Sequence, residues 1–239
     1  MRLLFGLLAV WELLGRLLLD ERSSLFVPLP TTVGLAGWEL LLAGDLPRDV
    51  AHSAIRVLLG SGLGALAGVG AGAAIASERF GRALEAPLAL LRPVPPVAWI
   101  PITLLWFGVG ELQQVAILFG ATFHVVAAGV ADAVRGVSPA VLLAARNLGA
   151  GEAAIGRVRT NAALPAVLAA VREGFGTGWF VLVAAEFVSA SEGLGVLVLE
   201  GRDMLAPART FVGMAALAAC GALTDAALRR AQGRVTAWA

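Results

Sequence analysis

Residues 134–165, VRGVSPAVLLAARNLGAGEAAIGRVRTNAALP, decide how this chain is read. They form a polar, arginine-bearing insert in an otherwise very apolar sequence. So long a polar insert is uncommon in such a chain unless it has a use. Its internal order is informative. An apolar helical run ends in Ala144-Ala145-Arg146, followed by Leu148-Gly149-Ala150, a basic amphipathic stretch, and Leu164-Pro165. That order predicts a short helix, over about residues 147–158, displayed on a membrane surface for a partner.

The rest of the chain supplies the membrane. Of 239 residues, 59% are hydrophobic and 15% charged, with a mean hydropathy of +0.84. A soluble domain carries nearer a quarter charged residues. The composition therefore predicts an all-α, multi-pass membrane protein, in contact with lipid. A net charge of +1 gives no reason to expect a nucleic-acid partner. The single cysteine, Cys220, excludes an intrachain disulfide. All 18 basic residues are arginine.

A spanning helix needs roughly 20 mostly apolar residues. Six segments qualify, at about 3–19, 53–76, 86–107, 112–133, 172–190 and 208–228. The first has two readings. It resembles a signal peptide, but no small-residue cleavage site follows, and Glu12 and Arg16 sit at i, i+4 where they can pair. A retained anchor is the reading preferred. Arginines set the orientation. With the N-terminus inside, Arg2, Arg79, Arg82, Arg135, Arg146, Arg157, Arg159, Arg172, Arg229, Arg230 and Arg234 face the cytoplasm. Arg22, Arg48, Arg202 and Arg209 face outward, and Arg16, Arg56 and Arg92 fall in or near spans. Eleven against four gives N-in and C-in, with 134–165 cytoplasmic.

Several features inside the spans invite a role. Gly60, Gly64, Gly68 and Gly72 share one helix face, which suits close packing of another helix, static or sliding. The third span is interrupted by Pro87, Pro93, Pro95, Pro96 and Pro101. Irregular backbone at membrane depth survives only against protein or a water-filled cavity. This segment is either a pathway element, with Pro96, Trp99 and Trp106, or in part an interfacial elbow. Glu186, in VAAEFVSASEGLG, is a candidate by virtue of being an intramembrane carboxylate. It can equally reach water or an arginine near the span end. His124 is a further pathway candidate, or a packed histidine. The outer segment around Trp38, Leu40, Leu41 and Leu42 predicts a short interfacial helix.

The sequence holds no Walker A pattern, no HExxH, no CxxC, no GxSxG and no His/Cys cluster. Neither an ATPase, a metalloenzyme nor a serine hydrolase is expected, and no metal or cofactor of its own.

The ordered segments carry a resemblance. LLAARNLGAGEAAIGRVRTNAALP at 142–165 resembles the cytoplasmic loop of the membrane-spanning subunit of binding-protein-dependent ABC importers. Leu143-Ala144-Ala145 stands where that family has Glu-Ala-Ala, and three residues separate Ala145 from Gly149 as the pattern asks. The glutamate is replaced by Leu143, Thr160-Asn161 stands near the missing first Leu-Pro, and Leu164-Pro165 matches the second. The literal Glu152-Ala153-Ala154 has glycine at the wrong distance. LRPVPPVAWIPITLLWFGVGE at 91–111, ADAVRGVSP at 131–139, VAAEFVSASEGLGVLV at 183–198 and VPLPTTV at 27–33 are similar to the nitrate/sulfonate/taurine branch. At Phe123-His124-Val125 and Gly129 the chain departs from that branch.

The resemblance implies a type I importer permease fold as a single domain over 1–239, with its core at about 53–228. It implies ABC ATPase subunits that bind the ATP, an extracytoplasmic substrate-binding protein and a second permease copy, as a homodimer. The cargo it implies is a small solute such as nitrate, a sulfonate or taurine. Coupling to the ATPase falls on Ala144, Ala145, Arg146, Leu148, Gly149, Ala150 and Arg157. A stand-alone secondary transporter or channel is the alternative, and the chain shows neither an internal repeat nor many buried charges to support it.

Overall fold

The computed structural model describes residues 2–18, 26–77, 81–91 and 93–237. Arg22, Arg79 and Arg92 lie outside the described residues, as do the side chains of Arg2, Arg82 and Pro87. Every described element is a helix: α1 (Arg2–Leu18), α2 (Pro30–Ala43), α3 (Asp45–Ile75), α4 (Gly81–Leu91), a 3-10 turn (Pro96–Trp99), α5 (Ile100–Phe107), α6 (Glu111–Arg135), α7 (Pro139–Asn147), α8 (Glu152–Ser189), α9 (Leu194–Asp203) and α10 (Pro207–Val235).

Among the described residues, α3, α6, α8 and α10 are each long and apolar enough to cross a membrane. The third expected span is not one straight helix. Ala83–Leu91 and Pro96–Phe107 are bent by 92° to one another, and counted as one broken segment they give a fifth candidate span. The prolines explain the break. Each lacks an N–H, so it fits where a helix starts and donors are unpaired anyway. Pro30, Pro96, Pro101 and Pro139 all sit in the first two positions of their helices, and Pro207 opens α10. The first expected span, α1, has 17 described residues, at the short end of the spanning range of about 17–25.

The chain divides into two compact units, with α3, α8 and α10 contributing to both. The first comprises Met1–Ile55 and Val183–Cys220. Its core is Leu40, Leu197 and Val212, with Val33, Ala36 and Leu46 against it. The outer helix α2 forms as expected: Leu40 faces this core while Trp38, Leu41 and Leu42 are exposed. Glu12 of α1 accepts hydrogen bonds from the Thr31 backbone N–H (3.1 Å) and Oγ1 (3.0 Å), and so caps α2 at its N-terminus. The same carboxylate takes the expected bond from Arg16, Nε to Oε1 at 2.7 Å. Trp11 packs on Phe211 with ring centroids 5.6 Å apart. These ties pack α1 against α2 and α10 within the unit.

α9 ends in an unusual residue. The Ala206 N–H reaches Gly201 O (2.8 Å) and the Leu205 N–H reaches Arg202 O (3.1 Å), a helix-terminating pair that forces left-handed backbone between them. Leu205 takes that position with φ +52°. Glycine adopts it without the steric cost of about 1 kcal/mol. Leu205→Gly is therefore expected to stabilise the protein by about that amount, read as a rise in the midpoint of thermal unfolding.

The second unit comprises Arg56–Leu182 and Gly221–Ala239. Its centre is the contact of α3 with α6. Cβ atoms added at Gly60, Gly64, Gly68 and Gly72 would lie 2.5–2.9 Å from atoms of residues 115–130. The glycine ridge is thus the line along which two backbones touch. Ala65, Val126 and Val130 pack beside it with Val167, Val171 and Phe175, and Ile75, Ala127 and Ala131 pack with Leu88 and Phe123. α8 joins through small residues as well: a Cβ at Gly174 would lie 2.6 Å from Val126. Arg135, closing α6, donates to Ile75 O (2.9 Å) at the end of α3 and to both oxygens of Glu85 (2.7 and 2.9 Å) on α4. Carbonyls left open at a helix C-terminus favour such a cation.

α8 is longer than expected. It runs through Pro165 and includes residues 152–165, read from the sequence as part of a loop, and 166–171, which precede the expected span. Proline removes the bond that the Asn161 carbonyl would receive. Pro165 O itself accepts Gln232 Nε2 of α10 (3.2 Å), and Gln232 Oε1 in turn accepts Arg172 Nη1 (3.2 Å). Arg172 also donates to Asp225, Nε to Oδ1 at 3.0 Å. This polar strap holds α8 and α10 together beyond their apolar parts.

Candidate functional site

The segment between α6 and α8 holds the expected short helix, but earlier than expected. It is α7, Pro139–Asn147, and residues 152–158 are instead the first turns of α8. Pro139 fixes its start and Gly149 its end. Three bonds close it: Leu148 N–H to Ala144 O (3.1 Å), Gly149 N–H to Arg146 O (2.9 Å) and Ala150 N–H to Ala145 O (3.0 Å). This is the Schellman arrangement, which requires left-handed backbone at the residue after the cap. Gly149 supplies it with φ +82°. The glycine at that distance from Ala144-Ala145 therefore has a structural cause: it terminates the helix those alanines end.

α7 lies mostly open, with Leu142 and Ala145 half-buried. No residue of it is buried. Val141 and Leu143 are exposed, and Leu148 is 88% exposed at the apex of the turn. Ala144, Arg146, Gly149 and Arg157 are exposed, while Ala145 and Ala150 are half-buried against the turn. Arg146 faces Glu152 at 3.7 Å, but both side chains are mostly in solvent, so the pair holds little. Glu152 opens α8, where an acid favours the helix N-terminus. The result is a rigid, apolar-tipped helix end flanked by arginines.

The pathway candidates are not all alike. Pro96 and Trp99 lie half-buried on the 3-10 turn, and His124 is half-buried on α6. Trp106 ends α5, 70% exposed, edge-on to Phe107 at 6.5 Å. These four belong to the second unit and Glu186 to the first. α5 is tied to α6 by Gln113 Nε2 donating to Thr103 Oγ1 (2.9 Å), and Thr103 donates to Ile100 O (2.9 Å). Arg56, placed near an interface from the sequence, is 2% exposed, and its Nε donates to Glu111 Oε2 at 2.8 Å. A second bond joins Arg56 Nη2 to Glu111 Oε1. That two-pronged pairing commits the guanidinium to a carboxylate.

Glu186 does not reach bulk water. It is 1% exposed. Oε1 accepts Ser53 Oγ (2.7 Å) and Oε2 accepts the Gly195 N–H (2.6 Å). Ser53 Oγ accepts the Leu194 N–H (2.9 Å), and Asp49 Oδ1 accepts the Gly193 N–H (3.0 Å). Three successive N–H groups that open α9 are thereby capped by side chains of α3 and α8. A helix start attracts negative charge and must pair its open donors. Glu186 is a helix anchor here, and the glycines of Glu192-Gly193-Leu194-Gly195 follow from it. Gly193 has φ +136°, and a Cβ on Gly195 would lie 2.8 Å from Glu186 Oε2. The sequence flags Glu186 as an acid in an apolar run, but Ser53, 133 residues away, carries no such signal.

Glu186→Ala is expected to strand the Ser53 hydroxyl and the Gly195 N–H, at about 1–3 kcal/mol each. Amide hydrogen exchange at 193–197 should accelerate sharply, with Glu186→Gln intermediate.

An all-α bundle with a broken span and a surface helix between two spans is the architecture of a membrane permease. The chain belongs to the family of binding-protein-dependent transport system inner membrane components, whose model matches residues 60–237. It is a permease subunit of an ABC importer, seated in the inner membrane, and the stand-alone reading falls with that membership. The taurine transport system permease protein TauC of Escherichia coli is 34% identical over 97% of this chain and 86% of its own. The putative aliphatic sulfonates transport permease protein SsuC of Bacillus subtilis is 31% identical over 97% and 84%. The nitrate import permease protein NrtB of Synechococcus elongatus is 25% identical over 81% and 72%. In fold, a chain of the inward-facing MetNI methionine ABC transporter superposes with a TM-score of 0.69 at 21% identity, over 82% of this chain and 98% of that one. The type I importer fold is the one expected.

Proposed function

We propose that this permease imports a small sulfonate of the taurine type, as a homodimer driven by separate ATPase subunits through α7. Full-length similarity to TauC and SsuC supports the cargo class. The observation that carries the coupling role is that α7 is opened by Pro139 and closed by the Gly149 turn, yet buries none of its residues. A helix so fixed, with Leu148 at its tip and Arg146 and Arg157 beside it, fits a groove on a partner. ATP is bound by that partner, and its closure would move α7 and rock the paired permeases between inward- and outward-open states. An extracytoplasmic binding protein delivers the cargo.

The test is transport in proteoliposomes with the ATPase subunit and binding protein. Taurine or an alkanesulfonate should stimulate ATP hydrolysis and accumulate inside. Leu148→Asp should abolish both responses and weaken co-purification of the ATPase. Stimulated uptake unchanged in Leu148→Asp refutes the coupling role, and stimulation by nitrate alone refutes the cargo class.

A further inference from the structure

The second unit carries an apolar groove of about 440 Å³ between α3, α6 and α8. Val69 and Ala73 line one side, Val130 and Val134 another, Leu164 and Val167 the third, with Arg159 among the lining residues. Arg159 is exposed, and the hydroxyl next to it, Thr160 Oγ1, is already spent on Gly156 O at 3.0 Å. Arginine pairing in this unit is uneven. Arg135, Arg146, Arg172 and Arg229 each face a carboxylate. Among the described residues, Arg157, Arg159, Arg230 and Arg234 make no hydrogen bond or ion pair. Arg230 and Arg234 flank Gln232, which touches Pro165 of α8. Arg157 and Arg159 both lie in the first turns of α8, and Arg159 lines the groove.

We infer that this groove binds the acyl chain of an anionic phospholipid, with Arg159 holding the phosphate. The α3 and α6 walls of the groove are the ends of candidate spans and its α8 wall lies largely within 134–165, so it falls where acyl chains meet the cytoplasmic headgroups. Guanidinium groups match phosphate oxygens in a two-pronged geometry, and the cytoplasmic leaflet is the one rich in anionic lipid. A soluble protein partner satisfies the exposed arginines but leaves the apolar groove unfilled. The inference rests on the cytoplasmic placement of 134–165, but lipid binding is read without reference to sidedness or transport, so it can fail separately from the proposed function.

The experiment takes the purified permease–ATPase complex, equilibrates it with phosphatidylglycerol or phosphatidylcholine, and counts retained lipid by native mass spectrometry. Phosphatidylglycerol should be retained in preference. Arg159→Gln should lower its retention about fivefold, the loss of one arginine near a lipid surface. Ala73→Trp, which fills the groove and leaves Arg159 in place, should lower it as well, with an unchanged elution profile showing the complex intact. Equal retention of the two lipids overturns the inference. So does Arg159→Gln that keeps its lipid and loses the ATPase, since the arginine then serves a protein. A wild-type groove carrying no lipid, with residue 73 crosslinking between permease copies, overturns it in favour of the second copy.

Discussion

Gly149→Val is expected to leave the permease folded in the membrane and to cut coupled uptake more than tenfold. Gly149 has φ +82°, where a side chain costs about 1–2 kcal/mol, and a β-branched one more. No atom lies within 4 Å of a Cβ built there, so the damage is confined to the backbone of the turn. Losing left-handed geometry breaks the bonds from Gly149 and Ala150 to Arg146 and Ala145, and Leu148 no longer points from a fixed helix end. Gly149→Asn should retain most uptake, because asparagine tolerates this conformation. Gly151→Ala, also in open space but without positive φ, should behave like the wild type. ATP hydrolysis and uptake measured side by side in proteoliposomes separate uncoupling from misfolding.

Gly64→Leu is expected to have the opposite character and prevent a stable fold. Its Cβ would lie 2.5 Å from Phe119 O and 3.1 Å from Phe123 N, backbone atoms that cannot yield as a side chain does. Overpacking of this kind costs about 1–3 kcal/mol where side chains give way, and here two helices must separate along the ridge. Gly70→Leu, on the same helix with nothing within 4 Å, is the matched control and should be neutral. Detergent-resistant yield and thermal unfolding of the two variants read the difference.

Much of this fold was legible because its signals are local. Proline marks helix starts at 30, 96, 101, 139 and 207, and glycine at 149 marks an end. The four-residue glycine period announced a packing ridge, though not that α6 was its partner. The start of α8 was hidden. Arg157, Arg159, Thr160 and Asn161 make its first ten residues polar, Pro165 reads as a break, and Arg172 reads as the edge of the span, so the sequence gives no signal that one helix runs through all of them. The short helix was displaced for a related reason: the glycine closing α7 was taken as lying within a helix that came after it. The cap on α9 was beyond reach, since Asp49, Ser53 and Glu186 converge from distant parts of the chain. A carboxylate in an apolar run reads as a pathway residue until its hydrogen bonds are seen.

Coupling through α7 requires that this helix face the cytoplasm. Leu148→Cys, in a chain whose one native cysteine is replaced by Cys220→Ser, places a thiol at the tip of the turn. A membrane-impermeant maleimide should label it in inside-out vesicles, and bound ATPase should protect it. Labelling in right-side-out vesicles, or labelling indifferent to the ATPase, would contradict coupling through this helix.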